Sequence, residues 1–225
     1  MSCADRGPTE VKRIRIAVVD DHPLVRDGLA ARISSQPDLE ICCAAADPEQ
    51  ALGLVRASRP DLMIVDLALK HGSGLELIRQ LVTAVPAMKI LVISAYEEEL
   101  FAERVLRAGA QGYLNKQELH VSVLEAIRTV LRGGVYLSAA MSERIARQVI
   151  AGQGARRGLE ALSDREMQVF ELIGNGQGTR AIAERLRLSV HTIESHRENI
   201  RMKLGLRNGT ELLRRAVSWS LGARE

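Results

Sequence analysis

Aromatic residues are scarce in this chain of 225 residues: one Trp, three Tyr and two Phe make up 3% of it. Proteins that bind single-stranded nucleic acid stack the bases on aromatic side chains, so this composition argues against such a surface. Long apolar runs are also missing, because no stretch approaches the ~20 residues that a membrane helix needs. Residues 1–9 contain no apolar core of a secretory signal. We therefore expect a cytoplasmic protein without a membrane partner.

Cysteine is rare as well, and Cys3, Cys42 and Cys43 do not have the spacing of a structural zinc site. Cys42 and Cys43 are neighbours in a predicted strand, where consecutive side chains point to opposite faces. We expect neither a disulfide framework nor a zinc site, and a reducing compartment fits this usage.

The formal net charge of +3 is distributed unevenly. Residues 1–140 contain 16 basic and 18 acidic residues, which gives −2, whereas residues 141–225 contain 15 and 10, which gives +5. A basic excess in one part of a chain favours a polyanionic partner for that part. It is weak support by itself, since many soluble domains have a few extra arginines.

Short apolar runs alternate with amphipathic stretches over about the first 135 residues. The runs are rich in Val, Ile and Leu and show little alternation, which is typical of strands whose two faces are both covered. They lie at residues 14–19, 39–43, 62–65, 90–93 and 112–114. Five such strands with five interleaved helices predict an α/β fold with a doubly wound, five-stranded parallel sheet. Ligands of such sheets bind at the carboxyl ends of the strands.

The pattern changes after Gly133 and Gly134. A helix is predicted from about Ala139 to Ala151, and the Gly/Arg-rich residues 152–158 form a predicted linker. From Leu162 onward every segment has helical periodicity, which predicts an all-α, four-helix domain. We divide the chain into a first domain at residues 13–134, a linker with a helix at 135–158, and a second domain at 159–225.

Three aspartates occur at predicted strand ends in the first domain. Asp20 and Asp21 end the first strand and Asp66 ends the third, and these strands are neighbours in a doubly wound sheet. Three converging carboxylates repel one another unless a cation lies among them. Mg²⁺ suits such a site because it takes few carboxylates and also binds phosphate oxygens. An aspartate placed there can act as a nucleophile toward a phosphoryl group.

Ser94 at the end of the fourth strand and Lys116 after the fifth complete this set. The serine hydroxyl can donate to a phosphoryl oxygen, and the lysine can pair with the added charge. A single aspartate at a strand end is more often a loop residue or a helix cap. It is the coincidence of five such residues that favours phosphoryl chemistry.

A metal-dependent phosphatase with an aspartate nucleophile is a competing interpretation. Such enzymes usually have a second aspartate two residues after the first, as a general acid, and here that position is Ala68. Without an acid to protonate a leaving group, we expect only slow loss of the protein's own phosphoryl group.

Residues 16–23, 64–67, 93–95 and 108–116 resemble the corresponding segments of bacterial response-regulator receiver domains, which have a flavodoxin-like fold. The resemblance covers about residues 13–132. It implies that the phosphoacceptor is Asp66 and that Tyr113 is the aromatic residue that changes rotamer in the switch. It also implies that Ser94 and Lys116 contact the phosphoryl group, and that Mg²⁺ is bound by Asp20, Asp21, Asp66 and the backbone carbonyl of Ala68.

This chain departs from the receiver pattern at two loop positions. The family often has proline four residues after the phosphoacceptor and directly after the lysine, where this chain has Lys70 and Gln117. Neither change removes a reacting group, but both alter loops that affect the lifetime of the phosphoryl group. Lys70 is interpreted as a solvated loop lysine, and the alternative is a further cation that favours anionic phosphodonors.

In the second domain, Ser163 and Glu166 have the spacing of a helix capping box. A later helix over residues 190–204 places Ile193, Ile200 and Leu204 on one apolar stripe. Its opposite side is polar and edged by cations, as a recognition helix in a major groove requires. From the charge pattern alone, a solvated amphipathic helix is the favoured interpretation of this side.

Residues 162–166, 189–200 and 203–205 resemble a LuxR-type helix-turn-helix domain over about residues 159–218. The turn departs from the usual Ser-Asn-Lys and has Gly178, Thr179 and Arg180 instead. The resemblance implies that the last helix forms a dimer contact through Leu212, Leu213, Ala216 and Val217, for which core packing is the alternative. The implied DNA contacts are Arg180, His191, Thr192, Glu194, Ser195, Arg197, Glu198, Arg201 and Lys203.

A receiver followed by this helix-turn-helix resembles the NarL/FixJ class of response regulators. The resemblance implies a sensor histidine kinase as partner, Mg²⁺ as cofactor, and a homodimer on double-stranded promoter DNA when phosphorylated or DNA-bound. RNA polymerase is a further candidate partner, and self-phosphorylation with slow self-dephosphorylation is the only chemistry expected. The alternative is a phosphorylation-independent DNA-binding transcription factor whose receiver serves as a protein-interaction module.

Overall fold

The computed structural model describes residues 13–70, 72–151 and 158–222. The first domain has five strands and five helices in strict alternation. In chain order they are β1 (Ile14–Val19), α1 (Pro23–Ser34), β2 (Leu39–Ala45), α2 (Pro48–Ser58), β3 (Leu62–Asp66), α3 (Gly74–Ala84), β4 (Lys89–Ser94), α4 (Glu98–Ala108), β5 (Gly112–Asn115) and α5 (Leu119–Leu131). A 3₁₀ turn, Lys116–Glu118, connects β5 to α5.

The sheet is parallel throughout, with strand order β2-β1-β3-β4-β5, which confirms the predicted fold class. All five residues of β3 are buried, since helices cover both faces of the sheet. The pairing of β1 with β3 places Val19 opposite Val65, so the residues that come next in each segment, Asp20 and Asp66, are neighbours at the carboxyl edge.

Two sequence expectations about the first domain are wrong. Cys42 and Cys43 do not diverge: their sulfurs are 4.0 Å apart because the pairing register of β1 with β2 shifts after Ile16, as in a β-bulge. The helical spacing of Leu24, Leu29 and Ile33 predicts one apolar face for the first helix, but Leu24 is 86% exposed, whereas Leu29 and Ile33 are buried.

Helix α6 (Ala139–Ala151) has the predicted bounds. Residues 152–157 of the predicted linker lie outside the described residues, and the division of the chain at 134 and 158 stays a prediction. Among the residues that the structure describes, no helix is long and apolar enough to cross a membrane.

The second domain contains a 3₁₀ turn, Gly158–Ala161, followed by α7 (Asp164–Gly174), α8 (Thr179–Leu186), α9 (Val190–Leu204) and α10 (Gly209–Gly222). The predicted capping box begins α7, with both Ser163 and Glu166 hydrogen-bonded as expected. Gly205, at a φ of 66°, ends α9 in the left-handed conformation that glycine adopts without strain. The core of this domain includes Phe170, Ile193 and Ile200.

Candidate functional site

The carboxyl edge of the sheet brings Asp20, Asp66 and Lys116 together. Asp20 follows β1, Asp66 ends β3, and both residues are at least 98% buried. The Lys116 ammonium lies 2.7 Å from Asp20 Oδ2 and 2.7 Å from Asp66 Oδ2. One cation therefore contacts two buried carboxylates, as the strand-end argument predicts.

Asp21 contributes a third carboxylate to this pocket. Its two side-chain oxygens are buried, and no group of the described residues donates a well-oriented hydrogen bond to them. The nearest side-chain nitrogen atoms are His22 Nδ1 at 3.0 Å and the Lys70 ammonium at 3.4 Å. Buried carboxylate oxygens without hydrogen bonds are costly unless a cation lies beside them.

The residues fit a hard divalent cation. Ligand atoms of Asp20, Asp21, His22 and Asp66 all lie within 4.8 Å of one another. Carboxylate oxygens are the ligands that Mg²⁺ prefers, and three of these four residues supply them.

The charges in the pocket affect one another's protonation. Burial raises the pKa of Asp66, and the negative charge of Asp20 adds to this rise while Lys116 opposes it. Burial by itself lowers the pKa of Lys116, but attraction by Asp66 and Asp20 outweighs it, so the pKa is raised. Lys116 is therefore an ammonium. Additional positive charge in the pocket would favour the ionised, nucleophilic form of Asp66.

Backbone geometry fixes the Asp66 side chain. The Ala68 N–H donates to Asp66 Oδ1 at 3.0 Å. At Gly74, which begins α3, a β-carbon would lie 2.4 Å from the Asp66 carbonyl oxygen, so only glycine allows this approach. The role of the Ala68 carbonyl as a metal ligand stays a prediction.

Ser94 and Tyr113 both contact the backbone of Tyr96. Ser94 is fully buried, and its Oγ accepts a hydrogen bond from the Tyr96 N–H at 3.1 Å. The Tyr113 hydroxyl donates to the Tyr96 carbonyl at 2.7 Å, and burial raises the pKa of this phenol. The two predicted switch residues are thus connected through one residue of the loop after β4.

A cleft of about 810 Å³ lies between the two domains at this edge of the sheet. Asp21, Ala68 and Lys116 line it from the first domain, and Glu171 and Trp219 line it from the second. The acidic pocket therefore opens toward the second domain.

Sequence reasoning missed the residues that join the two domains. The Asp164 carboxylate contacts both Arg79 and Arg104, at 3.0 Å from Arg104, and Arg104 is only 9% exposed. The Trp219 ring packs 5.4 Å from Tyr96, and it also stacks on Phe101 and contacts Phe170. The scarcity of aromatic residues was the available signal, since four of the six in the chain meet here.

Most of the predicted DNA contacts lie on the surface of the second domain. Ile193 and Ile200 of α9 are buried, so the opposite face of this helix points outward. The exposed residues among the predicted contacts are Arg180, His191, Glu194, Ser195, Glu198 and Lys203, whereas Thr192, Arg197 and Arg201 are partly buried.

Several of the predicted DNA contacts have partners within the domain. The Lys203 ammonium lies 2.6 Å from Glu166, and the Arg201 guanidinium lies 2.6 Å from Glu198. Thr192 donates its backbone N–H to the Ser189 side chain at the start of α9. Partial burial lowers the pKa of Arg197, against the attraction of Glu194.

The structure corrects part of the predicted dimer contact. Leu212 and Ala216 are completely buried in the core of their own domain, where the backbone of Ala216 approaches Gly174 of α7, so they offer no surface to a second chain. Leu213 is 45% exposed and Val217 is partly buried, so only these two of the four remain on the surface of α10.

Comparison with known proteins identifies both domains. The response regulator receiver domain family matches residues 16–128, and the family of bacterial regulatory proteins of the luxR type matches residues 160–216. The oxygen regulatory protein NreC of Staphylococcus carnosus (strain TM300) is 35% identical over 214 residues, which cover 92% of this chain and 99% of NreC.

Solved structures show the same fold over part or most of this chain. A LuxR-family two-component response regulator from Aurantimonas sp. SI85-9A1 aligns with 62% of this chain and 99% of its own, at 32% identity and a TM-score of 0.57. RcsB from Salmonella enterica serovar Typhimurium, bound to promoter rprA in the presence of the phosphomimetic BeF3⁻, aligns with 92% of this chain and 99% of its own, at 23% identity and a TM-score of 0.72. This chain belongs to the family of two-component response regulators that join a receiver domain to a LuxR-type DNA-binding domain.

Proposed function

We propose that Asp66 accepts a phosphoryl group from a sensor histidine kinase with Mg²⁺ bound beside it. The observation that carries this proposal is the contact of one buried lysine, Lys116, with both Asp66 and Asp20, next to the unsatisfied oxygens of Asp21. Asp20, Asp21 and Asp66 would hold the metal, which supplies positive charge to the transferring phosphoryl oxygens.

The reaction needs no general acid from this chain, because the donor imidazole leaves as a neutral ring when its other nitrogen carries a proton. An Asp66 carboxylate oxygen attacks the phosphorus, and the bond between phosphorus and the imidazole nitrogen of the donor breaks. The donor leaves with the electron pair of that bond, and an aspartyl phosphate forms. Ala68 stands where a phosphatase would have its acid, so we expect self-phosphorylation and slow self-dephosphorylation and no turnover of external esters.

The aspartyl phosphate carries about −1.5 to −2 charges beside Lys116, in place of the single charge of the Asp66 carboxylate. When the Ser94 hydroxyl turns toward the phosphoryl group, its hydrogen bond from the Tyr96 N–H weakens. The carbonyl of the same residue, Tyr96, accepts the hydrogen bond from the Tyr113 hydroxyl. Phosphorylation thereby shifts an existing equilibrium of the loop after β4. Trp219 packs on Tyr96, so this change reaches the second domain.

The second domain is proposed to bind double-stranded promoter DNA in the cytoplasm as a homodimer, with RNA polymerase as a further candidate partner. RcsB, a solved protein with this fold, was determined on promoter DNA in the presence of a phosphomimetic. A dimer would contact two half-sites about one helical turn apart. Leu213 and Val217 remain the candidate dimer contacts on α10.

Incubation of the full chain with acetyl phosphate and Mg²⁺ tests the phosphoryl site. We expect the intact mass to rise by one phosphoryl group, and Asp66→Asn to abolish the gain while leaving the protein folded. Equal labelling of Asp66→Asn would overturn the assignment. An operator can be obtained by selecting the sequences that the protein binds from random double-stranded DNA. Equal binding of wild type and Asp66→Asn to this selected operator, with and without the phosphodonor, would favour the phosphorylation-independent alternative.

A further inference from the structure

Lys70 connects the acidic pocket to the DNA-binding domain. Its ammonium lies 3.4 Å from Asp21 Oδ2, and its backbone carbonyl accepts a hydrogen bond from Arg185 of α8. We propose that Lys70 is a positioning residue whose ammonium supplies positive charge to Asp21 while the two domains are docked. Mg²⁺ binding and domain docking then oppose one another. The inference rests on the proposed function, because it assumes that the pocket binds Mg²⁺.

Asp21 is the carboxylate of the pocket with which Lys116 forms no ion pair. The Lys116 ammonium contacts Asp20 and Asp66, whereas the Asp21 side chain is only 6% exposed and lacks a well-oriented hydrogen bond from the described residues. An ammonium beside this carboxylate lowers the cost of its burial. The same ammonium repels a divalent cation that approaches the same oxygens, so the two compete for Asp21.

The competition involves the second domain because Arg185 holds the loop that carries Lys70. The Arg185 guanidinium donates to the carbonyl oxygens of Leu69, at 3.3 Å, and of Lys70. These bonds fix the backbone from which the Lys70 side chain reaches Asp21. A ligand that displaces the ammonium therefore changes the free energy of docking, and docking must change the affinity for that ligand by the same factor.

The position of Lys70 makes this coupling a property of this chain. A proline, which many receivers resembling this one have there, offers a carbonyl to Arg185 but no ammonium to Asp21. The Lys70 side chain is 69% exposed, so water screens the competition and the effect is modest.

Isothermal titration of the full chain with Mg²⁺ tests the competition. Lys70→Met removes the charge and keeps the side-chain length, and we expect it to tighten Mg²⁺ binding roughly two- to fivefold, as an exposed charge pair allows. Lys70→Arg should keep the affinity of the wild type. Lys89→Met is the matched control, because it removes the same charge at the start of β4, at the opposite edge of the sheet.

A double-mutant cycle tests the coupling to the second domain. Arg185→Met weakens docking, so it should tighten Mg²⁺ binding in the wild type but not in Lys70→Met. Fluorescence of the single tryptophan, Trp219, reports docking independently, because its ring packs against Tyr96 of the receiver. We expect Mg²⁺ to shift this emission to longer wavelength in the wild type and to shift it less in Lys70→Met.

The outcomes separate this inference from the proposed function. If no variant binds Mg²⁺, the proposed function and the inference both fail. If Mg²⁺ binds and Lys70→Met has the same affinity as the wild type, only the inference fails. The same holds if Lys70→Met and Lys89→Met both bind Mg²⁺ more tightly by the same factor. Independent, additive effects of Arg185→Met and Lys70→Met would overturn the coupling to the second domain.

Discussion

The acidic pocket of the receiver and the outer face of α9 both contain several charged residues, but their charges have different surroundings. In the pocket, Asp20 and Asp66 are buried and share one ammonium at 2.7 Å. On α9, Glu194 and Glu198 are exposed to solvent. Burial makes the partner of each pocket charge obligatory, whereas an exposed charge has many alternatives in water. A charge pattern therefore indicates chemistry more reliably where the fold buries it.

Removal of Lys116 should give the largest effect. Lys116→Met leaves two buried carboxylates without their cation, so the free energy of unfolding should fall by about 3 kcal/mol when no divalent ion is present. Mg²⁺ should recover much of this loss, because it replaces the missing charge. Urea unfolding with and without Mg²⁺ measures both values.

Lys89→Met is the control for Lys116→Met and should stay within about 0.5 kcal/mol of the wild type. A loss in Lys116→Met that is the same with and without Mg²⁺ would mean that the pocket does not bind the ion, and would remove the contrast with α9.

The contact between the domains should give the next largest effect, through pH. Burial between the domains raises the pKa of Glu171 to about 8, although Arg104 and Arg185 act to lower it. Glu171 therefore takes up a proton on docking, and this contribution is complete below its ordinary pKa and is lost as the pH rises through about 8. Docking should weaken by at most roughly 2 kcal/mol between about pH 6 and about pH 8.

Trp219 fluorescence across this pH range measures docking. Glu171→Gln stays neutral at every pH, so its docking should vary much less. The same pH profile in both proteins would assign the effect to another titrating group.

The pocket could be predicted because strand ends in a parallel sheet have few alternatives. Once β1, β3, β4 and β5 are identified from their apolar runs, the residues that follow them must meet at one edge. The same reasoning did not find Asp21's contact with Lys70, since a loop lysine has many rotamers and nothing in the sequence selects one.

The joint between the domains could not be predicted from periodicity. Trp219 occupies a position on α10 that helical spacing assigns to a core, and the structure places it in the core of its own domain and against Tyr96 at once. Helical spacing likewise does not distinguish a core face from a dimer face, which is why Leu212 and Ala216 were assigned to the wrong one. The β-bulge that brings Cys42 and Cys43 together has no signal in an apolar run.

The capping box of α7 allows buried and exposed charges to be compared within the second domain, because its Glu166 is a buried charge. Burial acts to raise the pKa of Glu166, but hydrogen bonds from Lys203 and Ser163 outweigh it and lower the pKa. Its stabilisation is therefore present above the ordinary pKa of about 4.5 and is lost as the pH falls through the lower value of the folded state.

Glu166→Gln should lower the free energy of unfolding by about 1 kcal/mol at neutral pH. The two proteins should converge in acid. Thermal unfolding as a function of pH measures this difference, and a constant gap down to acid pH would show that the ion pair with Lys203 contributes nothing.

The smallest expected effect is on the salt dependence of DNA binding, and it distinguishes Arg180 from Lys203, both of which the sequence analysis predicts to be DNA contacts. Arg180 is exposed, whereas Lys203 lies 2.6 Å from Glu166. An arginine that contacts a DNA phosphate releases about one counterion, so Arg180→Ala should reduce the salt slope of DNA binding by about 1. Lys203→Met should reduce it less, because this lysine already neutralises a carboxylate within its own domain.

Salt-dependent binding of the full chain to its selected operator compares the two variants directly. If Lys203→Met changes the slope as much as Arg180→Ala, the pair with Glu166 opens on DNA. The buried carboxylate would then lose its partner upon binding, and the charge that α9 presents to DNA would be larger than the free structure indicates. An unchanged slope in Arg180→Ala would instead mean that the start of α8 does not contact the DNA, and that α9 makes the phosphate contacts.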